Sequence, residues 1–103
     1  MSSPFIVVEL TDNQRKTWKS LMTRLLAASG RNQAAVSRTM ATALKKKESS
    51  VKADLSRFLS GEAGLLRRWL EGESRAELDA FCVALDVEPI DVERRFRQAA
   101  GQI

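Results

Sequence analysis

The chain has 103 residues, with 17 Lys and Arg against 13 Asp and Glu, one cysteine and no histidine. That length predicts one small domain with enough residues for its own core. The composition leaves no intramolecular disulfide, none of the usual zinc-ligand spacings and no imidazole to activate a nucleophile, so a non-enzyme without metal or cofactor is expected.

The net charge of +4 is unevenly spread. Residues 31–68 carry nine cations (Arg31, Arg38, Lys45, Lys46, Lys47, Lys52, Arg57, Arg67, Arg68) against Glu48, Asp54 and Glu62, whereas residues 69–103 carry four basic and eight acidic side chains. A basic middle and an acidic end suit a protein that turns one side to a polyanion. The first ten residues have no positive n-region and only a short apolar run, and no stretch reaches the ~18 apolar residues of a membrane span. A cytoplasmic, nucleoid-associated chain without membrane contact is the expectation.

In chain order, Phe5–Leu10 is apolar and β-branched, bounded by Pro4 and Thr11-Asp12, and reads as a short strand over 5–10. From Thr11 the period changes. Trp18, Leu21, Met22, Leu25 and Leu26 recur at helical spacing, predicting a helix over 12–28 capped by Thr11 or Asp12 and ended by Gly30. Its stripe serves either the core or a dimer seam. Residues 1–30 are therefore read as an N-terminal extension able to supply dimer contacts. Asn32 caps a helix running through Val36, Met40 and Leu44 to Lys45-Lys46-Lys47, and Glu48-Ser49-Ser50 breaks it.

Next come a helix near 51–60, a turn at Gly61, a helix near 62–71 and a stop at Gly72. Leu55, Leu59, Leu66 and Trp69 are spaced to meet in one core, which leaves Arg67 and Arg68 to point elsewhere. Ser74 with Glu77 forms a capping box for a helix bearing Leu78, Phe81, Cys82 and Leu85. Pro89 opens a last helix with Ile90, Val92 and Phe96. Cys82, Trp18 and Trp69 all fall on apolar stripes and are expected in the core. The pairs Glu71/Glu73 and Asp86/Glu88 read as solvated caps.

Leu55, Leu59, Arg68-Trp69-Leu70-Glu71-Gly72 and Leu78–Val87 together resemble the lambda-repressor-like (xenobiotic-response-element) helix-turn-helix family over about residues 34–98. The resemblance implies an all-α domain of five helices over 31–103: 34–47, 52–60, 63–71, 74–85 and 89–98. It further implies a sequence-specific transcriptional regulator of bacterial or phage type, a repressor, that binds double-stranded DNA as a homodimer with no small-molecule ligand. Carried over by position, Ala63, Gly64, Arg67 and Arg68 face bases. Lys45, Lys46, Lys47, Lys52, Arg57 and Ser60 bind phosphate. Arg68 offers a guanidinium fork suited to guanine O6 and N7.

The chain departs from that family at the start of the reading helix, where Glu62 would repel phosphate and Gly64 reads no base. A second register, with Gly30 in the turn, places Gln33, Ser37 and Arg38 at the groove. Glu62, Gly64, Leu65 and Leu70 make the first register's reading face apolar and partly acidic, and they motivate an alternative: a protein-interaction or adaptor module on the same fold, serving as the N-terminal domain of a larger protein.

Overall fold

A computed structural model describes residues 7–71 and 75–102, and six helices carry about three quarters of them. They are α1 (Asp12–Ser29), α2 (Gln33–Leu44), α3 (Glu48–Leu59), α4 (Ala63–Leu70), α5 (Ala76–Leu85) and α6 (Pro89–Ala99). α2 packs against α3 and α5, and α1 lies along α6.

Local chemistry sets most of the ends. Thr11 and Gln14 close a reciprocal capping box on α1, and Gly30 ends that helix in the left-handed region at φ 70°. The Asn32 side chain accepts the Ala35 N–H at 2.8 Å to start α2. α2 ends at Leu44 rather than at Lys47. Lys45 turns left-handed at φ 55°, and the Lys46 N–H returns to the Ala41 carbonyl at 3.0 Å. Glu48-Ser49-Ser50 is the first turn of α3 and not a break, with Glu48 favourably placed at the positive end of the helix. Lys45–Lys47 thus form the α2–α3 connection. The predicted cap at Ser74 lies outside the described residues, and α5 begins after Arg75.

No strand forms among the described residues. Phe5 and Ile6 of the predicted strand lie outside them, and residues 7–10 are irregular, since a lone strand has no ladder to join. Val7 and Leu10 are nonetheless buried, and the Val7 N–H donates to Glu71 Oε2 at 2.8 Å.

One aromatic cluster joins five helices. The Phe58 ring of α3 stacks on Trp69 of α4 with centroids 4.3 Å apart. Trp18 of α1 meets Phe58 edge-on at 5.5 Å, and Phe81 of α5 does so at 5.4 Å. Phe96 of α6 closes on Trp18 at 6.0 Å. The Trp18 indole N–H donates to the Phe58 carbonyl at 2.8 Å, satisfying its one polar atom inside the core. Trp18, Met22 and Leu25 of the α1 stripe are buried within the monomer, and Leu21 and Leu26 are partly buried against the same core.

Gly61 makes the α3–α4 turn at φ 84°, and a Cβ there would meet Trp18 Cδ1 at 3.2 Å and Arg15 Cγ at 3.3 Å. Strain and crowding act together, so Gly61→Ala is expected to lower the unfolding free energy by about 1–2 kcal/mol. A urea denaturation series checks this, and an unchanged midpoint would contradict it.

Candidate functional site

α4 is eight residues long, and its two faces are sharply different. Leu65, Leu66, Trp69 and Leu70 are buried, Ala63 is half-buried, and Gly64, Arg67 and Arg68 are exposed. At 100° per residue, the buried four span an arc of about 140° and the exposed three fill the opposite side. Leu65 and Leu70 are buried and offer nothing to a partner at this face, whereas Glu62 and Gly64, which also motivate the adaptor reading, are exposed. A glycine-to-alanine change at 64 would meet only Glu62 Oε1, at 3.8 Å, so nothing within the monomer requires glycine there.

The cations around this face differ in how they are held. The Arg67 side chain makes no hydrogen bond or ion pair among the described residues. Arg68 Nη2 lies 2.6 Å from Asp54 Oδ2 on α3. Arg57 Nε is 3.8 Å from Glu62 Oε2, so Glu62 at the start of α4 faces a cation of its own chain. The Lys52 side chain is exposed and unpaired among the described residues. Ser60 is half-buried, its hydroxyl donating to the Arg57 carbonyl at 2.9 Å and its carbonyl accepting from Arg15 Nε at 3.2 Å. The Lys45 and Lys47 side chains are exposed and have no partner among the described residues, whereas Lys46 Nζ is 3.4 Å from Glu77 Oε1.

The predicted phosphate-binding set is therefore divided. Lys45–Lys47 sit at the start of α3 while Arg57 and Ser60 sit at its end, about 18 Å away at 1.5 Å per residue. The α1–α2 register comes apart at its centre. Ser37 is fully buried and its hydroxyl donates to the Gln33 carbonyl at 2.9 Å, so it cannot face a groove. Arg38 is exposed 3.6 Å from Glu48, and Gln33 is half-buried.

Two features were not visible in the sequence. Asp54 reaches Arg68 across 14 residues and two helices. A groove of about 480 Å³ opens between α1, α2 and α3, with Lys19, Arg31, Gln33 and Ser56 among its walls. Cys82 is buried, and burial, reinforced by Asp79, pushes its thiol up to about 12, far from the range of a reactive thiolate. No cluster of three potential metal ligands occurs among the described residues, and none of their helices is long and apolar enough to cross a membrane. No protein-family model, curated protein or solved structure matches the chain.

Proposed function

We propose that this chain is a sequence-specific DNA-binding regulator, a helix-turn-helix domain of lambda-repressor-like type that acts as a homodimer. α3 and α4 are its two-helix unit, the three residues Ser60–Glu62 are the turn, and α4 enters the major groove. The observation that carries this reading is the division of α4. Its three leucines and its tryptophan are buried, and its exposed arc presents Arg67, whose side chain has no partner among the described residues. A guanidinium left free on a short, rigidly seated helix has its donors available for guanine O6 and N7 or for phosphate. Lys45, Lys47 and Lys52, whose side chains are also unpaired among the described residues, add sequence-independent attraction.

A fluorescence-anisotropy titration on a random duplex, repeated across salt concentrations, tests the reading. Each phosphate contact contributes about −0.9 to the log–log salt slope, so several contacts give a steep loss of affinity. Lys47→Ala is expected to weaken all sequences alike and to reduce the slope by about 1. Arg67→Ala is expected to weaken a duplex selected from a random pool about tenfold more than the random pool itself. Absence of binding at low salt overturns the proposal.

A further inference from the structure

We infer that Asp54 is a positioning residue for Arg68: it holds the guanidinium in one place on the outer face of α4, so that Arg68 discriminates a base instead of ranging along the backbone. This rests on the DNA-binding reading above.

The carboxylate stands on α3, whose Val51, Leu55 and Phe58 are locked in the core, so its own position is fixed by the fold. Its Oδ2 meets Arg68 Nη2 at 2.6 Å, a short charge-assisted contact. Asp54 is more sheltered than its partner, with side-chain exposures of 25% and 49%. That contact engages Nη2 alone, leaving Nε and Nη1 as free donors. An arginine held this way has already lost part of its rotamer freedom and loses less on binding, an advantage of roughly two- to tenfold.

The neighbouring arginines show the contrast. Arg57 is only loosely paired with an exposed Glu62, and Arg67 has no side-chain partner among the described residues. Neither is held in place beforehand to the same degree, so each loses more rotamer freedom on docking than Arg68 does. Asp54 also places a negative charge near the proposed groove, which disfavours phosphate contact regardless of sequence. Its two effects on binding are thus opposite in sign, and a merely structural ion pair would not separate them.

The experiment compares wild type, Asp54→Ala, Asp54→Asn, Arg68→Ala and the double variant Asp54→Ala/Arg68→Ala. Each is titrated against a duplex selected by wild type from a random pool and against the random pool. For Asp54→Ala the ratio of selected to random affinity is expected to fall about two- to tenfold, while random affinity holds or rises. Asp54→Asn, close in shape and still able to accept a hydrogen bond, should retain part of the ratio, and it keeps the test valid if the alanine variant folds poorly. The double variant should match Arg68→Ala in ratio, since Asp54 acts through Arg68. An unchanged ratio in both Asp54 variants, with wild-type binding intact, overturns this inference alone. Wild type that binds without sequence preference also overturns it. Wild type that binds neither duplex overturns the DNA-binding reading as well.

Discussion

Trp18→Ala is expected to lower the unfolding free energy by about 3–5 kcal/mol, the range for removing a large aromatic from a packed interior. Against a typical total of about 5–15 kcal/mol, that would leave the chain close to its threshold. The effect is large because Trp18 is fully buried and touches both Phe58 and Phe96, so its loss opens a cavity between α1, α3 and α6. The lost hydrogen bond is a smaller part, because the Phe58 carbonyl still accepts from the Gly61 N–H at 3.1 Å. Trp18→Phe, which keeps a ring but not the indole N–H, should therefore cost much less, about 1–2 kcal/mol. Urea unfolding followed by far-ultraviolet circular dichroism checks both. A loss below about 1 kcal/mol for the alanine variant would mean that α1 is an appendage, whereas the aromatic cluster makes it part of one cooperative unit.

Leu70→Ser is expected to destabilise by a similar amount, about 3–5 kcal/mol, from lost burial and from a hydroxyl placed where water is excluded. Leu70 is 1% exposed at the last position of α4. As a control, Val83→Ser lies at a side chain that is 76% exposed and should stay within about 0.5 kcal/mol. The comparison separates two interpretations of the same leucine. If Leu70 were a docking residue, serine would leave the melting temperature alone and affect only a partner. If it belongs to the core, the melting temperature falls first, and any loss of binding follows from unfolding.

Much of the helical framework was legible because its signals are local. Thr11, Asn32, Gly30 and Pro89 act within one turn of where they stand, and the Trp18–Met22–Leu25 stripe marks an inward face by spacing alone. The failures came where a residue's role depends on what packs beside it. Glu48-Ser49-Ser50 reads as a breaker, yet it is helical because the left-handed Lys45 reverses the chain three residues earlier.

Leu65 and Leu70 looked surplus to a narrow stripe carried by Leu66 and Trp69. α4 instead buries a broad arc, packed between α3 and α5. Ser37 looked polar and available, but a serine hydroxyl can be satisfied by the carbonyl one turn back and so be buried without a partner from elsewhere. The candidate face was legible as Gly64, Arg67 and Arg68. What distinguishes one arginine from the other was not, because Asp54 comes close only after two helices fold onto each other.

The left-handed residues that end α2 and α5 have a wider consequence. Glycine would hold either turn without steric penalty, yet the positions carry Lys45 and Asp86, at φ 55° and 57°. Each substitution forgoes about 1 kcal/mol of conformational ease. The cation sits in the basic middle of the chain and the anion in its acidic end, so the polarity of the molecule extends even to positions where backbone geometry alone would have chosen a neutral residue. Stability headroom therefore exists at both turns, and drawing on it would erode the contrast between the protein's two electrostatic halves.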